Sequence, residues 1–409
     1  MKTNKICVII CEYNPLHNGH KLLIDKARTL SGCDFVACIM SGNFSQRGEP
    51  CILNKYHRAH TALLAGADIV LQLPTVFASS SAEVFAMGGI NIANALNNAT
   101  HIIFGSECGD IEKLKEVANF FTKEPKEYKT LLKKHLTNGN SYPNARLKAV
   151  EELVSQNVLT QDFIDIISKP NNILAIEYIK ALNQTKSTLV PLTIKREGED
   201  YNSKKLTKFA SASAIRNQLN KKNGLKDCEN YIPKECFETF KEYFEKQKVN
   251  YDLFEQLKLF TLKTASVENL KNIFDITEGL ENRLYSIARE SLTYKDFETQ
   301  CQTKRYSSAK LNRVCLAAML NITSDLTKKV YNYTLPYIKV LAVKRNKIMS
   351  NLNSTIPLII RNADIPKLNN VANRFIEIED KADALYGQIT NNPVSLPYLY
   401  QPTLILNKK

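Results

Sequence analysis

Five short apolar runs, at residues 6–10, 35–40, 69–73, 102–104 and 189–194, alternate with longer stretches of helical periodicity at 20–30, 55–65 and 81–96. Runs this uniformly apolar suit strands buried on both faces, and their alternation with helices is the pattern of a parallel sheet covered by helices. The stretch 110–168 breaks the alternation with several helical patterns, such as Ile111-Leu114-Val117 and Leu147-Val150-Leu153, and reads as a helical insertion before the last strand. A further helix is predicted from near Asn172, with Ile173, Ile176, Ile179 and Leu182 on one face. The expected fold is α/β with a Rossmann-like parallel sheet over 1–222, ending at the linker-like Asn220-Lys221-Lys222-Asn223-Gly224. Residues 223–409 read as a mainly helical second domain, a division that suits a chain of 409 residues. Its stripes Phe237-Phe240-Tyr243-Phe244 and Leu311-Val314-Leu316-Leu320 are expected in the core, and 337–343 and 356–360 are candidate strands.

Composition narrows the partners. No apolar stretch approaches the roughly 20 residues of a bilayer-spanning helix, and MKTNKICVIICEYN leads into a strand without a small-residue cleavage site, so a cytoplasmic location is expected. Ten scattered cysteines include no C-x-x-C pair, which favours reduced, buried thiols over a zinc or disulfide framework. A formal net charge of +14 favours a polyanion as partner, although a lysine-rich solvated surface has the same composition.

The strongest chemical signal follows the first strand directly: Glu12-Tyr13-Asn14-Pro15-Leu16-His17-Asn18-Gly19-His20, then a helix. An H-x-G-H at this junction sets two imidazoles at a helix N-terminus, where amide N–H groups and the helix dipole favour phosphate. Gly19 removes a side chain where a nucleotide would approach the backbone, and His17 and His20 become donors to phosphate oxygens as charge develops there. The alternatives are two surface histidines or a two-histidine metal site, the latter lacking a third ligand nearby, so no protein metal site is expected. A second signal opens a helix after the last strand: Phe209-Ala210-Ser211-Ala212-Ser213-Ala214-Ile215-Arg216. Its small residues let backbone close over a polyphosphate, the Ser211 and Ser213 hydroxyls can donate, and Arg216 supplies fixed positive charge. Taken alone it is also an ordinary helix start with Ser211 as N-cap.

Together the two segments resemble the nucleotidyltransferase superfamily that contains class I aminoacyl-tRNA synthetases and cofactor adenylyltransferases. With Met40-Ser41-Gly42-Asn43-Phe44-Ser45-Gln46-Arg47-Gly48-Glu49-Pro50 and Lys169-Pro170-Asn171-Asn172-Ile173-Leu174, the likeness narrows to the bacterial tRNA(Met) cytidine acetate ligases and covers essentially the whole chain. Ala210 and Ser213 depart from the residues usual in the serine loop, but both are small. The resemblance implies a tRNA-modifying ligase that activates acetate with ATP as acetyl-adenylate, releasing pyrophosphate. It then transfers the acetyl group to the wobble cytidine of elongator tRNA(Met), giving N4-acetylcytidine.

Carried over motif by motif, the implied ATP contacts are Ile10, Cys11, Glu12, Tyr13, Asn14, Pro15, Leu16, His17, Asn18, Gly19, His20, Lys21, Leu22 and Leu23, with Gly105, Asn171 and Arg196. His17, His20, Ser211, Ser213 and Arg216 are the implied catalytic groups, and Mg²⁺ is expected to accompany ATP. Asn171 also suits a plain N-cap, and Arg196 an exposed surface position. Asn43, Gln46 and Arg47, after the second strand, are expected to line the same crevice.

For RNA, Lys304, Arg305, Lys310 and Arg313 fall on or before one helix, and Lys328, Lys329, Lys339, Lys344, Arg345 and Lys347 cluster with Tyr331, Tyr333 and Tyr337 between them. Basic groups interleaved with aromatics suit a structured RNA, and solvated lysines around core tyrosines have the same appearance. The rival functions are an adenylyltransferase for a small cofactor precursor and a non-catalytic RNA-binding protein that keeps the nucleotide fold as a scaffold.

Overall fold

In the computed structural model, which describes residues 4–196, 210–277, 279–331, 335–344, 352–391 and 403–406, the apolar runs become neighbouring strands of one sheet. Strands β1 (Ile6–Cys11), β2 (Phe35–Ser41), β3 (Ile69–Leu73), β4 (Ala99–Ser106) and β5 (Val190–Lys195) run parallel in the spatial order β5-β4-β1-β2-β3. β1 and β3 are buried along their whole length, the environment their apolar sequences anticipate. β5 forms the edge and is partly exposed, which is why it tolerates Pro191, a residue unable to donate to a ladder.

Helices Asn18–Ser31, Lys55–Leu64 and Ala82–Ala95 connect the first four strands, and five helices from Ile111 to Gln184 lie between β4 and β5. This order of connection creates the crevice. The chain moves outward from β1 through β2 to β3 and then returns to the opposite side of β1 as β4. At that reversal the loops leaving the carboxyl ends of β1 and β4 diverge, as in other open α/β sheets where ligands bind.

The second half is mainly helical, but the sheet continues into it. β6 (Ile338–Val343) pairs antiparallel with β3, and β7 (Leu358–Ile359) and β8 (Leu404–Ile405) pair parallel with β6. Tyr337 and Lys339, expected among RNA-facing groups, are only 2% and 1% exposed; flanked by paired strands and covered by helix, they belong to the interior. Phe237, Phe240, Leu311, Val314, Leu316 and Leu320 are buried as expected, and Tyr243 and Phe244 are half-buried. Nine of the ten cysteines are buried, and none is joined to another in the structure.

The long helix Asn370–Ile389 is fastened to the carboxyl ends of β2 and β3 by buried charge. Lys55 Nζ lies 2.7 Å from Asp383, with neither side chain more than 1% exposed. Asn43 completes the group: its Nδ2 donates to Asp383 (2.9 Å) and its Oδ1 accepts from the Lys55 amide (2.7 Å). Asn43 was expected to line the crevice; it is turned instead into this seam, where it satisfies groups that would otherwise be buried without partners. Nearby, Glu379 accepts from the Thr75 amide (2.5 Å) and the Gln72 side chain (2.5 Å), and the Tyr386 hydroxyl donates to the Cys51 carbonyl (2.7 Å).

Removing one partner of such a pair strands the other charge in a dry interior. Lys55→Met should therefore cost about 3–5 kcal/mol in urea denaturation, and adding Asp383→Leu should restore most of the loss. A double variant no more stable than the single one would refute the view that uncompensated charge, rather than lost packing, is the cost.

Candidate active site

The backbone bends sharply as it leaves β1. Tyr13 takes φ 51°, a left-handed conformation costing about 1–3 kcal/mol for a bulky residue. Its side chain is buried, with the hydroxyl 3.2 Å from Cys38 Sγ, and the following Asn14-Pro15 bond is cis. The bend is held from below by Arg58, 1% exposed, whose guanidinium donates to the carbonyls of Glu12 (2.6 Å), Leu53 (3.0 Å), Ser41 (3.1 Å) and Gly42. Glu12 Oε1 accepts from the Gln46 amide (2.6 Å) and Asn14 Oδ1 from the Ile52 amide (2.9 Å), joining the loops after β1 and β2.

The H-x-G-H segment caps its own helix. His17 is the N-cap, and its Nδ1 accepts from the Gly19 amide at 3.1 Å; the His17 amide in turn donates to His20 Nδ1 at 3.3 Å. A Cβ at Gly19 would lie 3.0 Å from His17 Cε1, so the glycine makes room for the folded-back imidazole. The helix N-terminus is thus partly closed by imidazole, and the donors left to a ligand are chiefly side-chain groups rather than the bare amides anticipated from the motif.

Because both Nδ1 atoms accept hydrogen bonds, each neutral ring must carry its proton on Nε2. The rings stack with centroids 3.7 Å apart. Burial, reinforced by the nearby Arg196 guanidinium, lowers the His17 pKa to about 3; His20 is lowered well below 6.5 by burial, then by His17 and Arg196. The pair is therefore neutral near pH 7, with two Nε2–H donors.

Two of the other expected groups, Arg196 and Arg216, come to this turn. Arg216 Nη1 donates to the Asn14 carbonyl at 2.6 Å, bringing the serine-loop helix Ala212–Leu219 onto the H-x-G-H turn. Arg216 Nη2 lies 3.3 Å from Ser213 Oγ, while Ser211 caps the helix by accepting from the Ala214 amide (3.2 Å). Ser211 thus takes the structural role weighed for it, and Ser213 is held beside the guanidinium. At the end of β4, a Cβ on Gly105 would sit 3.1 Å from Arg196 Cγ, so the glycine admits the arginine that faces both histidines. Ile10, Cys11, Pro15 and Leu16 are buried supports of the turn; Asn18, Lys21, Leu22 and Leu23 follow on the first helix, Lys21 pairing with Asp25 (2.6 Å).

Asn171 lies at the second position of helix Pro170–Gln184, with Lys169 as N-cap. Its Nδ2 donates to Glu107 (2.7 Å), so it is not the plain N-cap considered from sequence. Gln46 is half-buried and Arg47 exposed on the loop after β2.

Among the groups expected to meet RNA, Lys304 is exposed and Arg305 half-buried, Lys310 pairs with Asp275 (3.0 Å), and Lys344 donates its amide to the Asp68 carbonyl (2.9 Å). Arg313 is half-buried against the loop after β2, where a Cβ on Gly48 would lie 2.7 Å from its amide nitrogen. Arg345, Lys347 and Tyr333 lie outside the described residues, as do the side chains of Lys328, Lys329 and Tyr331.

Sequence reading missed Arg58 and Glu107. Arg58 had a signal, since Lys55, Arg58, Ala59 and Ala62 share one helical face and all are buried. Glu107 had none, because its partners are 64 and 65 residues away.

The two nitrogens of His17 can be tested separately. Asparagine places an acceptor where Nδ1 stood and is itself a good N-cap, but it lacks the Nε2 donor. His17→Asn should stay within about 0.5 kcal/mol of wild-type stability at pH 7 yet lose about 100- to 1000-fold in ATP-dependent turnover, the effect of deleting one preorganised donor. His17→Ala should lose a further ~1 kcal/mol of stability with the cap. A histidine lowered from 6.5 to about 3 contributes stability that is present above 6.5 and declines as pH falls toward 3. Between pH 7 and 5 the wild type should consequently lose about 2 kcal/mol more than His17→Asn in denaturant titrations. Parallel losses in the two proteins would contradict the buried neutral ring.

Comparison with known proteins gives the family. The family model described as HIGH Nucleotidyl Transferase matches residues 4–397. The chain is 37% identical to a tRNA(Met) cytidine acetate ligase of Acetivibrio thermocellus, over 95% of this chain and 96% of the relative. It is 36% identical to the protein of the same name from Clostridium novyi, over 94% and 95%. The crystal structure of Thermotoga maritima TmcAL bound with alpha-thio ATP superposes with a TM-score of 0.91 at 28% identity, covering 99% of this chain and all of that one. With a family model running nearly end to end and relatives of this identity and coverage, the chain belongs to the tRNA(Met) cytidine acetate ligases of the HIGH nucleotidyltransferase family.

Proposed function

We propose that this protein activates acetate with ATP and transfers the acetyl group to the wobble cytidine of elongator tRNA(Met). The observation that carries the reading is the junction between Arg216 and the Asn14 carbonyl, which brings the serine-loop helix onto two neutral imidazoles at the mouth of the first helix. That arrangement supports binding of a triphosphate between them.

In the first step an acetate oxygen attacks the α-phosphorus, the bond to the β-phosphate bridging oxygen breaks, and pyrophosphate leaves. No protein nucleophile is needed. The Nε2–H groups of His17 and His20 donate to phosphate oxygens as charge builds, and Arg196 and Arg216 supply fixed positive charge near the same turn. Mg²⁺ held by the triphosphate's own oxygens would supply further compensating charge; among the described residues no three His, Cys, Asp or Glu side chains come together. In the second step the exocyclic N4 of cytidine attacks the acetyl carbonyl carbon, the mixed anhydride cleaves, AMP departs, and the amine loses a proton to give N4-acetylcytidine. The first half of the chain positions the nucleotide and excludes water from the anhydride. The residues beyond 222 hold the RNA, a role supported by the chain's +14 charge and by exposed groups such as Lys304. No helix among the described residues is long and apolar enough to cross a membrane, and a tRNA substrate fits a cytoplasmic protein.

Incubation with ATP, labelled acetate and total tRNA, followed by nucleoside analysis, tests the reaction directly. Label should appear in a modified cytidine and require both ATP and tRNA. Label that reaches only protein, or no macromolecule, would leave the second step without support.

A further inference from the structure

Glu107 stands two residues beyond Gly105, where β4 opens into the crevice. Its carboxylate closes the N-terminus of helix Pro170–Gln184: Oε1 accepts from the Asn171 amide (3.2 Å) and from Asn171 Nδ2 (2.7 Å), and Oε2 accepts from the Asn172 amide (2.8 Å). Asn172 returns the tie, its Oδ1 accepting from the Cys108 amide at 3.0 Å. The end of β4 and the first turn of this helix are thereby one unit.

Two consequences follow from the chemistry of a carboxylate. It accepts hydrogen bonds and cannot donate them, so the edge of the Asn171 amide turned toward Glu107 is its NH₂ group. The Asn171 carbonyl oxygen is thereby turned away and has no partner among the described residues. The second consequence concerns charge. A helix N-terminus ordinarily welcomes phosphate, but here a carboxylate already occupies it, so this corner of the crevice repels phosphate. The donors and cations that attract phosphate, His17, His20, Arg196 and Arg216, gather at the turn after β1.

We propose that Glu107 is a positioning residue that fixes Asn171 with its side-chain oxygen facing the crevice, where that oxygen accepts a hydrogen bond from a neutral donor of the nucleoside. The donor is either the 6-amino group of adenine or a ribose hydroxyl. The crevice is thus polar end to end, with nucleoside held at Glu107 and Asn171 and triphosphate at the histidines. This deepens the ATP-dependent reading above and rests on it.

Equilibrium binding by calorimetry tests the assignment without requiring turnover. Wild-type protein is titrated with ATP, with ITP, which carries oxygen in place of the 6-amino group, and with 2′-deoxy- and 3′-deoxy-ATP. Loss of the donor that Asn171 reads should weaken binding about tenfold. Discrimination against ITP assigns the base, and discrimination against a deoxynucleotide assigns the ribose. In Glu107→Gln the neighbouring amide can face Asn171 with either edge, so the discrimination should collapse toward onefold. Asn171→Ala, which keeps both backbone bonds to Glu107, should lose it equally, and the double variant should lose no more than either single one. The alanine variant also carries the test should Glu107→Gln fail to fold. If Glu107→Gln weakens ATP and every analogue by the same factor, Glu107 merely stabilises the helix and the proposal falls. Wild-type protein that binds ATP but discriminates against no analogue overturns it too. Wild-type protein that binds no ATP removes the nucleotide reading itself, an outcome distinct from either.

Discussion

One hydrogen bond, from the Gly19 amide to His17 Nδ1, sets the chemistry of the crevice. It spends the acceptor nitrogen of the first imidazole on the helix end, and the His17 amide does the same to His20. Each ring then has a single N–H left, on Nε2, and burial keeps both rings neutral. A cap normally made by serine or aspartate is here made by a group that also retains a donor for a ligand. The glycine belongs to the same device, because a side chain there would press on the ring it must accommodate.

The turn bearing these histidines is strained at Tyr13 and depends on what lies beneath it. Arg58 gathers carbonyls from the ends of β1 and β2 and from the start of its own helix, so one buried guanidinium fixes three loops. Its helical neighbour Lys55 reaches instead to Asp383, more than 300 residues away, and brings Asn370–Ile389 down on the same edge of the sheet. Two buried cations on one turn of helix thus divide the work: one shapes the crevice floor and the other binds the second half of the chain to the first.

What could be read from the sequence follows from the range of the interactions involved. The first four strands were legible because their buried stretches leave apolar runs, and β3 falls on the predicted 69–73. The H-x-G-H junction and serine helix were legible because each motif is local, although only the fold shows Arg216 meeting Asn14 across 202 residues. Asn43 and Lys339 were misjudged for a common reason. Polar side chains in loop-like or basic surroundings read as solvent-facing, and nothing local reveals Asp383 waiting for Asn43 or the strand pairing that draws Lys339 inside. The joining of β6 to β3 is likewise a long-range antiparallel pairing without a local signature. Glu107 belongs to this class, unremarked until the fold sets it at the helix N-terminus beside Asn171, which the resemblance implies only as an ATP contact.

Neutral histidines also explain how two arginines come to face one small space. Were both imidazoles charged, four cations would meet at the turn after β1, and their mutual repulsion in a desolvated crevice would oppose assembly of the site before any ligand arrived. Held neutral, the rings leave Arg196 and Arg216 as the fixed charges, and in the function proposed above a triphosphate would bring the compensating negative charge itself. Binding an anion there favours the protonated rings more than the empty site does, so the crevice becomes better able to stabilise negative charge as that charge arrives. A donor that costs little to bury empty and strengthens as phosphate approaches meets both demands, and the capping bond that sets its tautomer makes that possible.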